Sequence, residues 1–96
     1  MPNSRFVWDD KKHDANISKH GISFVEAMTV FDDPNARYLA DTEHSDDEER
    51  FVVVGFSNFL RMLVVCHCYR SGDIIRIISA RRATKKETRL YGGIQI

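Results

Sequence analysis

Long apolar runs are missing from this chain of 96 residues. The stretch MLVVC at 62–66 falls far short of the ~18 apolar residues that a membrane-crossing helix needs. The opening MPNSRFVWDD has no apolar core of the kind a secretory signal carries. A cytosolic protein with no membrane attachment is therefore expected. Cysteine is scarce as well, with Cys66 and Cys68 the two present. Placed two apart in one strand, they point to the same face, and joining them would distort it, so buried reduced thiols are expected. His67 between them invites a zinc reading. Zinc needs four convergent ligands, however, and no second close C-x-x-C or H-x-x-x-H exists. Also absent are a glycine-rich phosphate loop, a G-x-S-x-G elbow and an acidic pair spaced for a metal on the basic side of the chain. No metal or cofactor is expected, so any phosphate chemistry must rest on arginine and lysine charge.

What is present is charge, unevenly spread. Residues 1–49 hold five Lys/Arg against twelve Asp/Glu, a net of −7, and residues 50–96 hold nine against two, a net of +7. Two readings are open: the second half builds an anion-binding surface, or the halves neutralise each other in the fold. The size and composition fit one compact domain over 1–96, with 43% hydrophobic and 29% charged residues.

The order of elements follows from pattern. A first strand is predicted over 5–8, then a helix capped by Asp9 or Asp10, running to about Lys19 and stopped by Gly21. Its apolar interior residues are Ala15 and Ile17, so Trp8 and Ile22 on its flanks are expected to position it. In a second helix, Ser23 and Glu26 have capping-box spacing, and Phe24, Ala27, Met28 and Phe31 recur at i, i+3, i+4 and i+7. It ends before Pro34. Arg37–Ala40 reads as a short edge strand, and 41–50 (DTEHSDDEER) as a solvated acidic loop without a calcium-loop pattern. Strands follow at Phe51–Phe56, 61–69 and 73–80, the last two joined by a hairpin at YRSGD. Thr84 and Glu87 repeat the capping-box spacing for a short helix over 85–91, ended by Gly92 and Gly93. The class is α+β: two amino-terminal helices and a short carboxyl-terminal helix packed on a small antiparallel sheet.

The chemistry-bearing stretch is IIRIISARRATKKETRLY, at 74–91. Strict alternation puts Ile75, Ile77, Ser79 and Arg81 on one face and Ile74, Arg76, Ile78, Ala80 and Arg82 on the other. Arg81 and Arg82 close the strand, and Lys85, Lys86 and Arg89 follow on the helix, whose amino terminus near Thr84 adds backbone donors for an anion. Arginine's planar fork suits a phosphate. Arg61, opening the neighbouring strand, and Arg76 extend the patch. The alternative makes these arginines solvated strand ends or partners of the acidic loop. Lys19 and His20, at the end of the first helix, read either as an acid–base pair for a phosphate or as charges that complement the helix carboxyl end. His67 reads as a packed histidine. Trp8 and Phe59 are candidates to stack a base, or else core residues.

These blocks resemble a known family. FVWDDKKHDANISKHGISFVEAMTVFDDP, ERFVVVGFS, RMLVVCHCYR and IRIISARRATKKETRLY are similar, in order, to the BrnT toxins of type II toxin–antitoxin systems. The resemblance implies a RelE-like fold and a metal-independent endoribonuclease that depresses translation, using the RNA 2′-hydroxyl as nucleophile. It implies a BrnA-like antitoxin, a 2:2 heterotetramer through antitoxin dimerisation, and operator DNA reached through the antitoxin alone. It places catalysis on Arg81 and Arg82, with Arg61, Lys19 and His20 as further candidates; the basic cluster itself assigns RNA contacts to Arg76, Lys85, Lys86 and Arg89. One departure stands out. Many relatives carry arginine after the glycine of the ERF…G block, where this chain has Phe56 after Gly55. Either Arg61 supplies that charge or activity is attenuated. The rival expectation is a non-catalytic module that holds nucleic acid or an acidic partner.

Overall fold

A computed structural model of the chain describes residues 5–44 and 48–93. The centre of the predicted acidic loop, 45–47, lies outside them.

The first strand, β1 (Arg5–Val7), gives way to the helix α1 (Asp10–His20). Asp9 is its cap: the carboxylate accepts the N–H groups of Lys11 and Lys12 at 2.8 and 3.1 Å. Gly21 ends the helix in the left-handed region, φ 70°, with its N–H on the Ile17 carbonyl at 2.8 Å. As expected, the flanks help to position α1, with Ile22 fully buried and Trp8 packed on the core, while Ile17 is exposed and the buried residue of the helix itself is Asn16. Its amide donates to the carbonyls of Ile22 and Ala80, both at 2.8 Å, and its oxygen accepts the Ala80 N–H at 3.0 Å. A polar residue thus pins the helix to the sheet.

The helix α2 (Phe24–Thr29) begins at Ser23, whose hydroxyl accepts the Glu26 N–H at 3.0 Å, and tightens into a 3₁₀ turn over Val30–Asp32. Phe24, Ala27, Val30 and Phe31 are buried, as the helical spacing requires. Only half of the predicted capping box forms here, because the Glu26 side chain turns to a different partner, described below.

Among the described residues, five strands form one sheet in the order β1-β5-β4-β3-β2. They are β2 (Arg37–Ala40), β3 (Phe51–Phe56), β4 (Met62–Tyr69) and β5 (Ile74–Arg82) besides β1. β1 lies parallel to β5 and the other neighbours are antiparallel, so β1 and β2 form the edges. The core sits between the sheet and the two helices, built from Ile22, Phe24, Val30 and Phe31 against Val53, Leu63, Val65 and Ile77. His67 joins it as a packed residue: fully buried, with Phe31 edge-on at 4.8 Å and ring nitrogens within 3.2 Å of the Val65 carbonyl and the Tyr69 hydroxyl. Burial pushes its pKa down. Gly55 is required where β3 meets the 3₁₀ turn after α2, because a Cβ there would stand 3.0 Å from the Ala36 Cβ and 3.1 Å from a Val30 methyl.

The strict alternation predicted for the last strand is wrong. Opposite β4 the register slips by one residue: Cys66 faces Ser79, but His67 faces Ile77, leaving Ile78 as a bulge. From there every side chain changes face. Ile75, Ile77, Ala80 and Arg82 lie on the helix-covered face, and Arg76, Ser79 and Arg81 on the other. The terminal helix is also shorter than predicted. α3 spans Lys85–Thr88, and a separate 3₁₀ turn follows at Tyr91–Gly93. Its capping box is complete, with Thr84 and Glu87 each accepting the other's N–H.

Candidate active site

The helix-covered face carries one cluster. Arg61 comes two residues before Leu63, which sits opposite Arg82, so both arginines leave the sheet on the same side. Arg61 meets Glu26 of α2: Nε donates to one carboxylate oxygen at 2.9 Å and Nη2 to the other. The Glu26 side chain is only 2% exposed. The Ser57 hydroxyl donates to the same carboxylate at 2.7 Å. The Arg61 guanidinium holds the Glu26 carboxyl below its usual range and outweighs burial, with the Ser57 hydroxyl and the charge of Arg82 adding to it. One edge of Arg61, Nε with Nη2, is thus fixed by a buried anion, and among the described residues its Nη1 is left over.

The end of α1 belongs to this cluster too. β1 stops level with Arg76 of β5, and α1 then reaches Ala80 with Asn16. The chain therefore advances along β5 in its own direction, at ~1.5 Å per helical residue. The last turn, with Lys19 and His20, falls at the end where Arg82 emerges. Among the described residues, the side chains of Arg82, Lys19 and His20 make no hydrogen bond.

The opposite face carries a second group. Arg81 grips Glu87 with both terminal nitrogens, each at 2.8 Å. The predicted anion site at the start of α3 is thereby occupied from within: the Glu87 carboxylate takes the Arg81 fork and the Thr84 N–H together. The Arg81 guanidinium holds the Glu87 carboxyl down to about 2. Lys85, Lys86 and Arg89 lie exposed on and just after this turn of helix. Phe56 also points this way, its ring edge-on to Tyr91 at 5.1 Å. The charge of Arg61 therefore lies on the other face from the side chain of residue 56.

The sequence patch is thus divided. Arg61 and Arg82 share the helix-covered face near Glu26, and α1 runs so that Lys19 and His20 lie toward the same end of the sheet; Arg81, Lys85, Lys86 and Arg89 belong to the other side; Arg76 does not join either. It stands six residues before Arg82, paired with Glu48 at 2.9 Å. Glu26 and Ser57 were missed as site residues. The spacing Ser23–Glu26 accounted for Glu26 as a local cap, and no short-range signal ties it to an arginine 35 residues on. Cys66 is half-buried beside Asp41, and burial pushes its thiol up to about 11.

Comparison with known proteins follows the same lines. The family model for the ribonuclease toxin BrnT of type II toxin–antitoxin systems matches residues 8–87. The crystal structure of the Brucella abortus ribonuclease toxin BrnT is similar, with a TM-score of 0.67 at 24% identity, covering 86% of this chain and 100% of that one. At that identity the likeness shows the fold. No curated protein matches.

Proposed function

This chain belongs to the BrnT family of ribonuclease toxins of type II toxin–antitoxin systems, and on that premise we propose that it is a metal-independent endoribonuclease whose reaction centre is the helix-side cluster. The observation that carries this reading is the Arg61–Arg82 pair, with Arg61 fixed by a buried carboxylate beside an Arg82 that has no hydrogen-bonded partner among the described residues. Charge stabilisation in a transition state requires such placement, because a donor that need not reorganise acts at full strength. Lys19 or His20 takes the 2′-hydroxyl proton, the 2′-oxygen forms a bond to phosphorus, and the bond to the 5′-oxygen breaks as that oxygen takes a proton from water. The products are a 2′,3′-cyclic phosphate and a 5′-hydroxyl. Arg82 holds the phosphoryl oxygens and Arg61 offers its free edge to them. Arg81, Lys85, Lys86 and Arg89 guide the backbone on the far side of the strand end.

In the cell, the cytoplasmic toxin would depress translation by cutting RNA. A BrnA-like antitoxin, dimeric and joining two toxins in a 2:2 complex, would neutralise it and alone contact operator DNA.

Arg82→Ala tests the assignment. Arg82 is exposed, so the variant should fold as the parent does while RNA cleavage in EDTA falls 10²–10³-fold, the ~2.7–4 kcal/mol that one charge-stabilising donor supplies. Cleavage at the parent rate would remove Arg82 from the mechanism. A second reading, a non-catalytic binding module, draws on the Arg81–Glu87 and Arg61–Glu26 pairs, which leave fewer free cations than the sequence suggests. RNA that is bound but never cut, with or without ribosomes, would favour it.

A further inference from the structure

We propose that the turn between β3 and β4 is a nucleobase platform, on which Phe59 stacks a base of single-stranded RNA flanking the scissile phosphate. This rests on the ribonuclease reading above and adds to it the element that positions the substrate.

Two large apolar side chains stand in solvent here: Phe59 is 65% exposed and Leu60 80%. Leu60 also has φ 59°, a left-handed conformation that glycine or asparagine adopts far more readily. Leucine at such a position carries strain that no burial offsets, and strain of this kind clusters at binding and catalytic sites. Trp8, the other stacking candidate in the sequence, packs against Phe24 and His13 instead, at 5.9 and 5.7 Å.

The turn is held from several sides. The Leu60 N–H bonds the Ser57 carbonyl at 2.9 Å, and the Ser57 N–H bonds the Arg61 carbonyl at 2.9 Å. The Asn58 N–H reaches Thr29 of α2 at 2.9 Å. The Ser57 hydroxyl accepts the Phe59 N–H at 3.2 Å while donating to Glu26, the carboxylate that fixes Arg61. One serine therefore ties the backbone that carries the displayed ring and the site guanidinium to the same anchor, so the turn is in place before any ligand arrives.

An exposed aromatic ring on the turn that leads into Arg61, at the strand end where Arg82 lies opposite Leu63, is the chemistry of single-strand recognition. The cations take the phosphate and the ring takes the base, whatever its identity. The cations also favour RNA over an apolar protein segment as the occupant, since a polyanion brings the charge that Arg82 lacks.

The test uses the full chain and a defined single-stranded RNA whose cleavage positions by the parent have been mapped. That RNA is remade with an abasic ribonucleotide on either side of the cut in turn. Phe59→Ala should raise KM for the intact RNA roughly tenfold, consistent with the loss of one stacked base, while kcat and melting temperature stay close to the parent's. Phe59→Tyr should restore KM. One abasic substitution should weaken the parent by a similar factor and the Phe59→Ala variant no further. Parent kinetics in Phe59→Ala, or losses from ring and base that multiply independently, would overturn the platform while leaving the ribonuclease intact. So would unchanged RNA kinetics with lost antitoxin binding, which would make the turn a protein contact. If the parent cuts no RNA, the ribonuclease reading itself fails and the platform with it.

Discussion

Replacing Glu87 with glutamine separates two roles that the structure superimposes on one carboxylate. Glutamine keeps the capping-box contacts of α3 but removes the charge in the Arg81 fork. A carboxyl held at about 2 against its ordinary 4.5 has an ionised form favoured by roughly 3 kcal/mol, at about 1.4 kcal/mol per tenfold. Arg81 is 42% exposed, so solvent screens the pair and the stability at stake is nearer 1–2 kcal/mol. Because the folded value is depressed, this stability is present above the unfolded value and lost as pH falls from about 4.5 to about 2. In urea unfolding, Glu87→Gln should therefore be less stable than the parent by about 1–2 kcal/mol at pH 7. That gap should close as pH is lowered through this window. A difference that stays constant down to pH 2 would refute the ion pair as its source. RNA gives the second readout: with its fork unoccupied, Arg81 should bind phosphate several-fold more tightly at low salt. A variant that loses stability and gains no RNA affinity would make Arg81 a structural residue.

Glu26→Gln breaks a pair whose acidic member is buried. Removing one partner of a buried pair costs about 3–5 kcal/mol, and the partial exposure of Arg61 brings the expected loss toward 2–3 kcal/mol; urea unfolding measures it. RNA cleavage should fall as well under conditions where the variant stays folded, since Arg61 is no longer oriented, and full activity in a folded variant would exclude that positioning role. Asn16→Ala should cost about 2–4 kcal/mol, because it strands the Ala80 N–H and the carbonyls of Ala80 and Ile22 in the interior. A thermal midpoint within a degree of the parent's would contradict Asn16 as the anchor of α1.

Local chemistry made much of the fold legible. Asp9 and Gly21 mark the ends of α1 because caps act over three or four residues, and the bounds of β3 and β2 follow from short apolar patterns between breakers. The Thr84–Glu87 box is legible for the same reason. What escaped the sequence reading depends on contacts distant along the chain. The bulge at Ile78 arises only when β5 is laid against β4, and it exchanges the faces of Arg81 and Arg82. Asn16 anchors α1 through a backbone 64 residues away. The basic character of the strand end was legible, but the partners of its arginines were not. Glu26 and Glu48 reach theirs from 35 and 28 residues away, and Glu87, only six residues from Arg81, does so through the turn into α3.

Of the two purposes that the opposite charges of the halves suggested, internal neutralisation is visible in the ion pairs. Arg61 and Arg76 draw on acids of the first half, which is internal neutralisation, while Arg81 draws on an acid of its own half. What distinguishes the arginines is how readily each partner can be exchanged for a phosphate. Glu26 is buried and also bonded by Ser57, so giving up Arg61 would strand a charge in the interior, and the pair should persist when RNA binds. Glu87 sits partly in solvent, where water can take over from Arg81 at modest cost. Among the described residues, the Arg82 side chain has no hydrogen bond to break. An incoming phosphate should therefore engage Arg82 first, orient against the fixed free edge of Arg61, and recruit Arg81 only by displacing Glu87. On this ordering, salt should oppose binding through Arg82 and the lysines, while the Arg61–Glu26 geometry stays constant throughout the reaction.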